Sequence, residues 1–349
     1  MTAVRALAPE PRPDDSSVPP GRGEPWTLPD LAARALGGAA IAANDESFAE
    51  KESLIRPYPV VHQVHTFGHK GQIYDGWETR RRREDGHDWA IVRLGVPGTI
   101  SGIVVDTAYF TGNYPPRVSV DACRLDGHPA LTDLLDTSWR PIVPVSQAKG
   151  DSVNQYTVHD TRRYTHVRLN MHPDGGIARL RVHGTPVPDP AAFADLPLDL
   201  AALANGAAIT GASNAFYSNP TGAIMPGLPA SQADGWETAR RREPGHEWLD
   251  VRLAGRGFVR VAELDTTHLK HNAPGWAAIE ARDGDDRFEL LPRTRLQPDT
   301  PHRFVIAGDR PATSVRLDIF PDGGMARFRL YGRLTEEALA EMRRRFAGP

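Results

Sequence analysis

The sequence predicts an all-β protein built from two tandem antiparallel β-sandwiches, made by internal duplication and followed by a short C-terminal helix. Three observations predict it: a domain-length repeat, period-two alternation, and glycine and proline scattered between short strands. The repeat is plainest where "DGWETRRRREDGHDW" (Asp75–Trp89) returns as "DGWETARRREPGHEW" (Asp234–Trp248). Asp75–Ala122 aligns without gaps to Asp234–Ala281, with roughly 21 of 48 positions identical. Upstream, "DLAARALGGAAI" answers "DLAALANGAAI"; downstream, "HVRLNMHPDGGIARLRVHG" answers "SVRLDIFPDGGMARFRLYG". Each copy is too long for a solenoid unit and suits a globular domain. The expected organisation is a disordered tail at 1–27, a first repeat at 28–186, a linker at 187–197, a second repeat at 198–332 and a helix at 333–349.

Alternation identifies the strands. Val167, Leu169 and Met171 alternate with Arg168, Asn170 and His172, and the second copy does the same with Val315, Leu317 and Ile319. Ala178, Leu180 and Val182 answer Ala326, Phe328 and Leu330. Such runs bury one face of a strand. Between them, "HPDGG" and "FPDGG" read as hairpin turns, since Asp-Gly-Gly suits positive φ. The 32 glycines and 31 prolines match a sandwich with many turns. "TEEALAEMRRRF" (Thr335–Phe346) reads as a helix with an N-cap Thr, early acids and late arginines. Its apolar stripe, Ala338, Leu339, Met342 and Phe346, suits either a subunit interface or docking on its own chain.

Composition narrows the function. A formal charge of -3 argues against nucleic-acid or membrane partners. No apolar run reaches membrane-spanning length. The Pro- and charge-rich N-terminus lacks the apolar stretch of a secretory leader. The single cysteine, Cys123, excludes an intramolecular disulfide framework and fits a cytoplasmic protein.

The chemistry-bearing residues cluster in the repeated motifs. Glu78 and the arginines Arg80 and Arg81 could bind a ligand, or could close a loop by ion pairing. Asp106 and Asn113, in "VVDTAYFTGNYP", could meet amide-like groups from a strand end, or could only make Asx turns. Asp174 and Arg179 flank the Asp-Gly-Gly turn. His62, His65 and His69, like His268 and His271, match no strong zinc spacing, though a divalent metal is left open. No phosphate loop or covalent-nucleophile signature is present, so an enzyme here would work by acid–base and electrostatic catalysis.

At these motifs the sequence resembles the allantoicase family, over about residues 30–332. "DGWETRR", "HDW", "DTAYFTGN" and "RLNMHPDGGIARLRVHG" carry the resemblance in the first copy. It implies two jelly rolls of the galactose-binding type, assembly as a homo-oligomer, and hydrolysis of allantoate to ureidoglycolate and urea. Arg80 or Arg81 would suit the substrate carboxylate, and Asn113, Asp174 and Arg179 its remaining polar groups. Glu78, Asp106 and His87 are candidate acid–base groups. The second-copy equivalents are Glu237, Arg240, His246, Asp265, Asn272, Asp322 and Arg327. Ala239, Leu269 and His271 stand there in place of Arg80, Phe110 and Gly112, so the first copy is expected to carry the chemistry. The competing reading is a non-catalytic jelly roll binding a glycan or small ligand.

Overall fold

The computed structural model describes residues 24–62, 64–193 and 196–348. The first repeat contains β1 (Ala39–Ala43), β2 (Phe67–Gly68), β3 (Gly71–Gln72), β4 (Trp77–Glu78), β5 (Asp88–Asp106) and β6 (Arg117–Cys123). After the short helix α1 (Leu131–Asp136) come β7 (Arg140–Gln147), β8 (Val153–Thr157), β9 (Arg163–His172), β10 (Gly176–Ile177) and β11 (Arg179–Pro186). The second repeat runs through β12 (Leu198–Asp199), β13 (Ala208–Ala212), β14 (Trp236–Glu237), β15 (Glu247–Asp265) and β16 (Trp276–Asp283). It ends with β17 (Asp286–Arg295), β18 (Pro301–Val305), β19 (Ala312–Phe320), β20 (Gly324–Met325), β21 (Arg327–Leu334) and the helix α2 (Glu336–Ala347).

One long strand builds both layers of each sandwich. The first part of β5, Asp88–Arg93, pairs with β9 on one side and β1 on the other. Its last part, Gly98–Asp106, pairs with β11 and, over Gly102–Asp106, with β8. Between them the register slips, and the strand passes from one layer to the other. Strand β15 repeats this with β13 and β19, then with β21 and β18. The alternating residues fill the core as expected: Val167, Leu169, Met171, Leu180 and Val182 are fully buried, as are Leu317, Ile319, Phe328 and Leu330.

The "PDGG" turns are not hairpins. β9 pairs mainly with Asp88–Arg93 of β5 and β11 with Gly98–Asp106, the two overlapping only at Gly98 and Thr99, and they do not pair with each other. The turn instead carries the chain between layers, and β10 pairs with β4 on the way. The reason lies in β5: a single strand long enough for both layers offers each run a better partner than its sequence neighbour.

Residues 1–23 of the expected tail lie outside the described residues. Within its last part, Pro25–Thr27 form a 3-10 turn, and Trp26 packs over Gly102. Helix α2 starts after Thr335, whose hydroxyl accepts the Ala338 N–H. Its stripe docks on its own chain: Met342 is buried, and Arg163 of the first repeat lies 4.0 Å from the Phe346 ring centroid. Among the described residues no helix is long and apolar enough to cross a membrane.

Candidate functional site

Each repeat places one glutamate at the same end of its sandwich. Trp77 is wholly buried, and its indole N–H donates to the Asp45 carbonyl at 2.8 Å. Pairing of Trp77 with Ile177 and of Glu78 with Gly176 then fixes where the Glu78 side chain emerges. Trp236 is held likewise by the Asn214 carbonyl and by Met325. Gly176 has no Cβ because Phe110 occupies that space: a Cβ there would lie 2.1 Å from the ring.

Asn113 meets this glutamate from the D-T motif. Its side-chain N–H donates to Glu78 Oε1 at 2.7 Å, while Oε2 has no protein hydrogen-bond partner among the described residues. Burial raises the Glu78 pKa above its ordinary value, and the Asn113 bond offsets part of that rise. In the second repeat Asn272 donates to Glu237 Oε1, but Gln232 also donates to Oε2, at 2.7 Å. The two carboxylates thus share one amide partner and differ at the second oxygen.

The arginines divide into two kinds. Arg82 is a loop tie: its guanidinium bonds Asp88 at 2.7 Å, and its backbone N–H donates to Asp174. Arg241 repeats this with Glu247 and Asp322. Arg179 and Arg327 are buried among loop carbonyls and pair with Asp75 and Asp234. Asp174, Asp322, Arg179 and Arg327 therefore hold the loops that frame the site. Arg80 is different, with 77% of its side chain exposed and its Nε 3.2 Å from Asp45 Oδ2. That contact leaves both terminal nitrogens of the fork without a partner among the described residues. At the aligned places the second repeat has Ala239 and Asn214, so both the cation and the carboxylate beside it are missing. Arg81 and Arg240 are exposed.

Asp106 and Asp265 accept the N–H two residues on, at 2.8 Å each, as Asx turns do. His87 lies against His172, the rings tilted by 41° with centroids 4.8 Å apart, and no hydrogen bond joins it to Glu78 among the described residues. His246 pairs with Asp318 and lies tilted against the Phe320 ring. The structure therefore brings together Glu78 and Asn113, and Glu237 and Asn272, while both histidines engage the end of the β9 or β19 strand.

Several neighbours escaped sequence reasoning. Asp45 and Gln232 lie at the edges of the stretch whose length differs between the copies: Ala43 to Asp75 is ten residues longer than Ala212 to Asp234. The longer stretch includes the β2–β3 hairpin, exposes Tyr58, Val61, Val64 and Phe67, and stacks His62 on Tyr109 at 4.7 Å. Tyr109 has φ of 67° and His268 of 69°, an uncommon conformation held by Asp151 and Asp299 accepting their N–H groups. The length mismatch itself was the available signal. Among the described residues no three His, Cys, Asp or Glu side chains are grouped to hold a metal ion.

A family model described as the allantoicase repeat matches residues 29–187 and again residues 198–335. The chain belongs to the allantoicase family. A probable allantoicase of Nocardia farcinica is 54% identical over 311 residues, covering 88% of this chain and 94% of that one. One of Streptomyces coelicolor is 49% identical over 327 residues, covering 89% and 87%. The crystal structure of allantoicase from Saccharomyces cerevisiae superposes with a TM-score of 0.78 at 32% identity, covering 88% of this chain and 93% of that one. The fold, the duplication and the membership of this hydrolase family thus agree with the expectation from the motifs.

Proposed function

We propose that this allantoicase-family chain hydrolyses allantoate to ureidoglycolate and urea in purine degradation, with the chemistry at Glu78 of the first repeat. The observation that carries the placement is the open Oε2 of Glu78, a buried carboxylate held at Oε1 by a single amide. Allantoate has a carboxylate and two ureido groups on one carbon. Water must add there as one C–N bond breaks. The proton that water loses is the proton that the departing urea nitrogen needs. One carboxylate can take it and return it, so Glu78 serves as base and then acid. Its raised pKa brings the carboxyl nearer to working pH, which favours the second transfer. Asn113 holds the other oxygen and keeps the carboxylate from turning. Arg80, steadied at Nε by Asp45, presents its free fork to the substrate carboxylate.

Urea release from allantoate, measured on wild type and on Glu78→Gln with and without chelator, tests this reading. Wild type should release urea, and Glu78→Gln should lose about 10²–10⁴-fold of the rate. A loss on chelation would add a divalent metal to the mechanism. No urea from folded wild type would leave a ligand-binding protein. The homo-oligomer expected from the resemblance forms part of the proposal. Of the α2 stripe, Met342 is packed within the chain, while Ala338, Leu339 and Phe346 stay partly exposed. Light scattering that returns a monomer at every concentration would remove it.

A further inference from the structure

The second repeat carries a carboxamide where the first has an open oxygen. A carboxylate can only accept, so the nitrogen end of Gln232 faces Glu237 Oε2. That end, a carbonyl carbon bearing NH2, is chemically the end of a ureido group. Gln232 lies in the 3-10 turn Gln232–Asp234 and is an exposed residue, so the core does not require it there. In the first repeat the residue at the same distance before the glutamate is Ile73, which has no side-chain donor.

We propose that the second repeat is a latent ureido-binding site, occupied by the chain's own Gln232. The same pairing shows how the first repeat takes its substrate: Glu78 Oε2 accepts an N–H of the terminal ureido NH2. This second statement rests on the functional reading above; the latent site does not. The two sites differ in the ligands they take. Ala239 offers no cation where Arg80 stands, so the opened second site takes neutral ureas and primary amides in preference to ureido acids. The first takes ureido acids.

N-methylurea is the probe for the second site, and N-carbamoylglycine, a ureido acid without a second ureido group, is the probe for the first. Side-chain amide NMR signals of Asn113 and Asn272 report the two sites, in wild type and in Gln232→Ala. Gln232 is exposed, so the variant should fold, and an unchanged melting curve checks this. In wild type, N-carbamoylglycine should shift the Asn113 signal, and N-methylurea should leave Asn272 still. In Gln232→Ala, N-methylurea should shift Asn272 at least tenfold more than in wild type at equal concentration. Adding Glu237→Gln to that variant should abolish the response. An unmoved Asn272 in the folded variant, or an equal shift in wild type, would overturn the latent site. An unmoved Asn113 would overturn the pairing in the first repeat. Urea release from allantoate is scored separately: if it fails, the functional reading fails whatever Asn272 does. If it succeeds while Asn272 stays still, only this inference is lost.

Discussion

The loop from Asp75 to Trp89 and the loop from Asp234 to Trp248 keep the same anchors and differ at their mouths. Both bury a tryptophan, tie an arginine to an acid at the start of the long strand, and cap the next turn with the aspartate of "PDGG". Such shared contacts are what either repeat needs in order to fold. At the glutamate the copies part: Oε2 is open on Glu78 and bonded by Gln232 on Glu237. Arg80 beside Asp45 has become Ala239 beside Asn214. Duplication therefore supplied two frames of one design, and the differences fall on the groups that no frame requires. The Glu–Asn pair itself is repeated, and the copies part at the groups around its second oxygen.

The largest effect expected is on turnover. Glu78→Gln should cost about 10²–10⁴-fold, and Glu237→Gln less than about fivefold, in urea release. Equal losses with both folds intact would break the comparison and make the copies share the work. Glu78→Gln has a stability signature too. Because burial raises the Glu78 pKa, its ionised form opposes folding, and that cost grows as pH rises through the folded value. The variant should melt at or above the wild-type temperature at neutral pH, and the difference should fade below the ordinary carboxyl range. A loop-tying glutamate would do the reverse.

Next in size is Arg80→Ala. Loss of a charge-assisted fork should raise KM about 10–100-fold with a smaller change in kcat. Restoring Arg at position 239 should not create a second active site while Gln232 covers Glu237. A normal KM in Arg80→Ala would move the substrate carboxylate to another cation.

Packing separates the copies less sharply. A Cβ at Gly176 would lie 2.1 Å from the buried Phe110 ring, whereas at Gly324 the nearest Leu269 carbon is 3.0 Å away and the nearest atom, the Trp236 carbonyl, 2.9 Å. Gly176→Ala should cost about 3 kcal/mol and Gly324→Ala about 1–2 kcal/mol, read from denaturant unfolding. Equal costs would show that the Phe110-to-Leu269 change leaves this wall alike in both repeats.

The smallest effect concerns acid. Burial, with help from Arg93, lowers the pKa of His166 to about 4, while Ser314 stands at the aligned place. Unfolded chains take up that proton near pH 6.5, before the folded one does. This contribution to stability is therefore full above about 6.5 and is lost as pH falls toward about 4. His166→Gln should flatten the acid side of the melting profile by a few degrees; an unchanged profile would place the sensitivity elsewhere.

Much of this was legible beforehand, for reasons that differ by residue. Glu78 and Asn113 stood out because each recurs in a repeated motif, and their pairing in both copies explains the recurrence. Arg179 and Asp174 recur as strongly, yet they tie loops. Recurrence marks a constraint without saying whether folding or ligand imposes it. Arg80, Arg81 and Arg82 are neighbours of one chemical type, and only the local path of the chain sends one to Asp88, one to Asp45 and one to solvent.

Period-two burial and the duplication were determined by the sequence itself, because side-chain direction in a strand depends only on the nearest residues. Strand partners depend on the whole chain. The two runs flanking "PDGG" looked like a hairpin until β5 proved long enough to serve both layers. Which glutamate keeps an open oxygen was also left to the tertiary structure. Glu78 takes its amide from a residue 35 positions away, and Glu237 is covered from the edge of the stretch whose length differs between the repeats. A hydrogen bond needs two groups placed within about 3 Å. In a sandwich, that distance is set by how the layers close.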